Sequence, residues 1–171
     1  MIIEESGMQF GDFPEDKVFH IEKSEQYLKI RNSGVKTCEF ILMRSSKLLF
    51  VEAKTTIRDI YTDDSDEYRL KNYNRYVDDI VEKMCHSLSL YISIHIARQK
   101  QTGVPLSFLE NDLSNTKFQF VLVVKNESDE IALQRIKEKI NYAIKANMRI
   151  WKLEQVWVIN EEKARQKGFI I

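Results

Sequence analysis

Net charge is the first thing this sequence lacks: 26 Lys and Arg are matched by 26 Asp and Glu. A strongly basic balance, the simplest sign of a nucleic-acid partner, is therefore missing. That does not remove such a partner, because phosphate affinity depends on where cations sit, and a carboxylate cluster pulls the sum down. Proline and glycine are scarce, two and five in 171 residues, which leaves no linker composition and predicts one domain over residues 1–171. Two cysteines, Cys38 and Cys85, have no metal spacing and predict reduced thiols. No run approaches about 18 apolar residues, so no membrane span is expected. Met1-Ile2-Ile3-Glu4-Glu5 has neither a basic start nor an apolar stretch and does not read as a signal peptide. A cytoplasmic protein is expected. Phosphate-cradling glycine loops, a GxSxG elbow and a zinc spacing among His20, His86 and His95 are missing too.

What is present is an order of elements. Residues 1–16 are acidic and irregular. Val18 to Ile21 reads as a strand and Ser24 to Arg31 as a short helix or a second strand, closed by the turn Asn32-Ser33-Gly34. Val35 to Met43 and Leu48 to Thr55 are strands rich in β-branched and apolar residues, joined by the polar tetrapeptide Arg44-Ser45-Ser46-Lys47. Both are apolar on either parity, as in strands covered on two faces. After the polar, acidic stretch 56–66, a long helix is predicted from Asp66 to Gln99. Its apolar positions Tyr73, Val77, Ile80, Met84, Leu88 and Tyr91 recur at threes and fours. Its second half is apolar nearly all round, which predicts deep burial or a homodimer contact through Leu88 to Ile96. Phe118 to Lys125 is a strand, Ser128-Asp129-Glu130 opens an amphipathic helix, Gln155 to Asn160 is a last strand, and a short helix closes at Gly168. The pattern predicts an α/β domain, a mixed central β-sheet flanked by helices on both faces.

Chemistry concentrates on the hairpin. With a loop at 44–47, Met43 pairs with Leu48, Ile41 with Phe50, and Glu39 with Glu52. Opposed residues of an antiparallel pair have Cβ atoms roughly 5 Å apart. Lys54, two residues beyond Glu52, falls on the same face. Solvated charges on an exposed hairpin are the ordinary explanation for three such residues. The apolar neighbours on both parities argue against it, since two buried carboxylates without a partner would be expensive. A divalent cation removes that repulsion, and hard oxygen ligands suit Mg²⁺. A cation to polarise a phosphate and activate water, with a lysine beside it, is the equipment of phosphodiester hydrolysis.

Phe50-Val51-Glu52-Ala53-Lys54 resembles the (D/E)xK half-motif of the PD-(D/E)XK nuclease superfamily, whose members share the restriction-endonuclease-like fold. Glu39 stands on the preceding strand, where that superfamily keeps the acid of its PD half, with Cys38-Glu39 replacing Pro-Asp. The element order agrees over roughly residues 18–160. The resemblance implies a single nuclease-like domain acting as a metal-dependent endo- or exonuclease on DNA or RNA. Glu39, Glu52 and the carbonyl of Ala53 would then hold Mg²⁺ or Mn²⁺, and Lys54 would assist the attacking water. It also implies an upstream acid, Glu22 or Glu25, and phosphate-facing residues near the start of the long helix, for which Lys71, Asn74 and Arg75 are the candidates. The competing expectation is a catalytically inactive member of the same fold that binds nucleic acid or assembles with protein.

Overall fold

A computed structural model describes residues 1–57 and 67–171. The acidic stretch 58–66, with the helix start expected at Asp66, lies outside the described residues. Five strands form one mixed sheet in the order β3 (Val18–Phe19), β4 (Phe40–Arg44), β5 (Lys47–Lys54), β6 (Lys117–Val124), β7 (Trp157–Asn160). The β3/β4 and β4/β5 pairs are antiparallel, and β5/β6 and β6/β7 are parallel. This is the expected mixed α/β arrangement. Crossovers supply the helices: α2 (Glu67–His95) joins β5 to β6, and α4 (Glu130–Ala143) lies between β6 and β7.

Each sheet face carries its own apolar cluster, which explains why the strands are apolar on both parities. On one face Ile41, Leu48, Phe50, Phe120 and Leu122 meet Tyr73, Val77, Ile80, Met84 and Leu88 of α2, and Leu133, Ile136 and Ile140 of α4. On the other, Leu42, Leu49, Val51, Val121 and Val123 meet Ala164 of α6 (Glu161–Gln166) and an N-terminal hairpin. Helices therefore flank both faces, as expected.

That hairpin, β1 (Ile3–Glu5) and β2 (Met8–Phe10), corrects the expectation of an irregular acidic start. Its turn, Ser6-Gly7, has φ of 51° and 72°, the double positive φ that a two-residue primed turn needs. The strands are too short for alternation to register in the sequence. Ile3, Met8 and Phe10 are nonetheless buried, and Phe10 bridges to Ile170 at the C-terminal end. Ser24 caps the six-residue helix α1 (Glu25–Ile30) by accepting from the Tyr27 N–H, which decides the helix-or-strand alternative for this segment. Two further helices were not predicted, α3 (Leu106–Leu109) and α5 (Lys145–Trp151).

The β4–β5 register is the expected one, with Met43 opposite Leu48 and Ile41 opposite Phe50. Its turn is tighter: Arg44 pairs with Lys47, leaving only Ser45-Ser46 between strands. The first strand starts at Phe40 instead of Val35. Residues 35–39 bind α2 instead: the Lys36 N–H donates to His86 Nδ1 at 3.2 Å and the Cys38 N–H to Ser87 Oγ at 2.7 Å.

The apolar second half of α2 is accounted for within the chain. Leu88, Leu90, Tyr91 and Ile94 are all buried, Tyr91 giving its hydroxyl proton to the Phe108 carbonyl at 2.9 Å. Ile96 remains exposed at the helix end. These side chains need no second copy to cover them. Among the described residues no helix is long and apolar enough to cross a membrane.

Candidate active site

At the end of β5 the polypeptide gathers charge into a buried corner. Glu52 is fully buried, and Glu39 is 6% exposed. Glu39 sits one residue before the β4 ladder, where the chain bends; its N–H donates to the Val51 carbonyl at 3.0 Å. The bend lets Cys38 join the α2 side of the core. Residue 38 gives its N–H to Ser87, which a proline at that position could not do.

The three hairpin residues are brought to one corner, but the link between them was not foreseen. Lys83 of α2 reaches down with Nζ 2.9 Å from Glu52 Oε1 and 3.8 Å from Glu39 Oε1. Lys54 Nζ lies 3.0 Å from the same Glu52 oxygen and 3.7 Å from Asp79 Oδ2. Asp79 in turn accepts from Lys36 at 2.9 Å. Arg75, Asp79 and Lys83 are spaced by four, so one flank of α2 presents all three beside its buried stripe. That spacing was the available signal, hidden among other charged helix residues.

The sequence left Glu22 and Glu25 as alternatives for the upstream acid. Glu25 is exposed and pairs with Lys29 on its own helix. Glu22, in a 3₁₀ turn, lies close enough to the Glu39 carboxyl to raise its pKa, and its N–H donates to the Glu39 carbonyl at 3.3 Å. Of the helix candidates, Arg75 lines an open cleft of about 350 Å³ together with Lys54, Thr55, Thr56, Tyr76 and Asp79. Asn74 is instead held by Lys139 of α4, and Lys71 is exposed one turn before Arg75.

Protonation follows from burial. Desolvation, the nearby Glu22 and the charge of Glu52 push the Glu39 carboxyl up to about 9. Burial also raises Glu52, against the pull of Lys83 and Lys54. Burial opposes the charge on Lys83, but Glu52 and Glu39 outweigh it and raise its pKa. A carboxyl raised in the folded state binds a proton that the unfolded chain releases. Its stabilisation is complete below the unfolded value near 4.5 and is lost as pH climbs through about 9. Urea unfolding should therefore show stability falling between pH 5 and pH 9. Glu39→Gln should flatten that slope, and an unchanged slope would contradict the assignment.

No family model, curated protein or solved structure matches this chain. What the corner does has to be read from its own chemistry. Oε2 of Glu52 is buried and without a hydrogen-bond partner, but among the described residues Glu39, Glu52 and Glu22 do not form a group whose ligand atoms all lie within 4.8 Å of one another. The Ala53 carbonyl accepts from Ser6 Oγ at 3.0 Å, which engages one of its two lone pairs. Lys54 connects the buried acids with the open cleft.

Proposed function

We propose that the chain is a Mg²⁺- or Mn²⁺-dependent nuclease with a restriction-endonuclease-like core, hydrolysing phosphodiester bonds of DNA or RNA. One observation carries the reading: Glu52 and Lys54 lie side by side at a strand end, Lys83 links Glu52 to Glu39, and Lys54 also lines an open cleft with Arg75. In this reading Glu39 and Glu52, with the Ala53 carbonyl, would hold the cation, and the chemistry it would supply is polarisation of the phosphate and activation of the attacking water. Lys54 orients that water and offsets charge developing on the phosphate oxygens. Arg75 binds an adjacent phosphate, for which its planar fork is suited. Glu22 helps to fix the Glu39 backbone, through the hydrogen bond its N–H gives the Glu39 carbonyl. Two free cysteines, Cys38 and Cys85, suit a cytoplasmic setting.

A second reading has its own support. Lys83 already sits between Glu39 and Glu52 and supplies the positive charge that a cation would otherwise bring. A protein that kept this corner as a structural ion cluster, and bound nucleic acid or protein without turnover, would have the same geometry.

The deciding experiment incubates the protein with single- and double-stranded DNA and RNA in Mn²⁺, with Lys54→Ala alongside. Cleavage that Lys54→Ala abolishes is expected. No cleavage of any substrate would favour the second reading, and cleavage that survives in Lys54→Ala would overturn the role given to Lys54.

A further inference from the structure

Beside the corner lies a second cluster, which shares Glu22 with it and adds Glu5 and His20. Glu5 comes from the end of β1, His20 follows β3, and Glu22 follows two residues later, so two segments distant in sequence converge. One ligand atom from each falls within 4.8 Å of the other two. His20 adds an independent sign. Its Nε2 is shut off from solvent yet has no hydrogen-bond partner, and Glu5 Oε1, 3.6 Å away, is beyond hydrogen-bond reach. Buried polar atoms left unbonded are uncommon in folded proteins. A neutral imidazole nitrogen facing two carboxylates is a ligand set waiting for a cation. The cation recorded beside the cluster is Lys23, 3.6 Å from the same Glu5 oxygen and largely solvated, which makes it a weak competitor.

We propose that Glu5, His20 and Glu22 form a divalent transition-metal site, distinct from the Glu39/Glu52 pair, that takes Zn²⁺ or Mn²⁺ in preference to Mg²⁺. Imidazole with carboxylates suits Zn²⁺ and related ions, whereas Mg²⁺ favours all-oxygen shells. Metal–ligand bonds of about 2.0–2.2 Å require the three donors to draw in slightly from their present spread. The ion would tie the N-terminal hairpin to the turn carrying Glu22, and through Glu22 it would touch the Glu39 carboxyl. The site requires no nuclease activity.

Calorimetric titration of the full chain with Zn²⁺, and with Mg²⁺ as comparison, tests this. Wild type should bind one Zn²⁺ that Mg²⁺ does not displace. His20→Ala should weaken that binding by more than about 100-fold, beyond the loss typical of a residue outside the ligand shell. Glu5→Gln, at a hairpin tip, should weaken it too and covers the case in which His20→Ala fails to fold. Absence of Zn²⁺ binding in wild type, or equal binding in the folded His20→Ala and Glu5→Gln variants, would overturn the site. Zn²⁺ binding that persists in Glu52→Gln separates it from the hairpin pair. A chain that holds Zn²⁺ here but cleaves no nucleic acid would keep this site and lose the nuclease reading.

Discussion

Lys83→Met is expected to lower folding stability by about 3 kcal/mol at pH 8, measured as a shift of the urea midpoint, because it leaves Glu52 buried with less compensation. Lys83 is the ammonium closest to Glu52, at 2.9 Å, and also faces Glu39. Lys54 remains 3.0 Å from Glu52, so the charge is not wholly abandoned. The same change should cost less at pH 5, where Glu52 escapes by taking up a proton, as a desolvated carboxylate does. Glu52→Gln added to Lys83→Met should recover much of the loss, since it removes the charge that Lys83 opposed. Additive effects of the two substitutions would show that the pair is not energetically coupled. Under the nuclease reading, Lys83→Met should also tighten Mn²⁺ binding, because the built-in cation no longer competes.

Glu52→Gln alone separates catalysis from folding. An amide of similar shape can still accept from Lys83 but no longer balances its charge, so the urea midpoint should fall, by less than in Lys83→Met because Glu39 remains 3.8 Å from Lys83. Cleavage in Mn²⁺ should fall by roughly 10³-fold, as expected when a group organising transition-state charge is removed. Full activity in Glu52→Gln would end the assignment of the hairpin as the catalytic centre. Loss of both fold and activity would instead make Glu52 a structural residue, in line with the ion-cluster reading.

Much of this was legible in the residues themselves. Apolar runs on both parities read as strands covered on two sides, and each face of the one sheet carries a separate apolar cluster. Turn residues fixed the β4–β5 register even though the tetrapeptide loop proved to be a two-residue turn, because both close the same pairing of Met43 with Leu48. Period-two alternation put Glu52 and Lys54 on one face, and they lie 3.0 Å apart. Local signals of this kind survive folding because they act between residues close in sequence.

The rest depended on contacts across the chain. Nothing local distinguishes Lys83 from its charged neighbours on α2. It matters because the helix packs across the sheet and sets its flank over Glu39 and Glu52. Glu22 and Glu25 look alike in sequence, and only the 3₁₀ turn before α1 sends one to Glu39 and leaves the other in solvent. The bend at Glu39 likewise follows from hydrogen bonds to Ser87 and Val51, both distant in sequence. By itself the sequence determined the α/β sheet, the hairpin and its register, through periodicity and turn chemistry. The tertiary structure alone decided which lysine neutralises the buried acids, which upstream glutamate joins them, and that the N-terminal hairpin delivers Glu5 to His20. Those meetings are long-range, and desolvation makes them consequential only once the chain has closed around them.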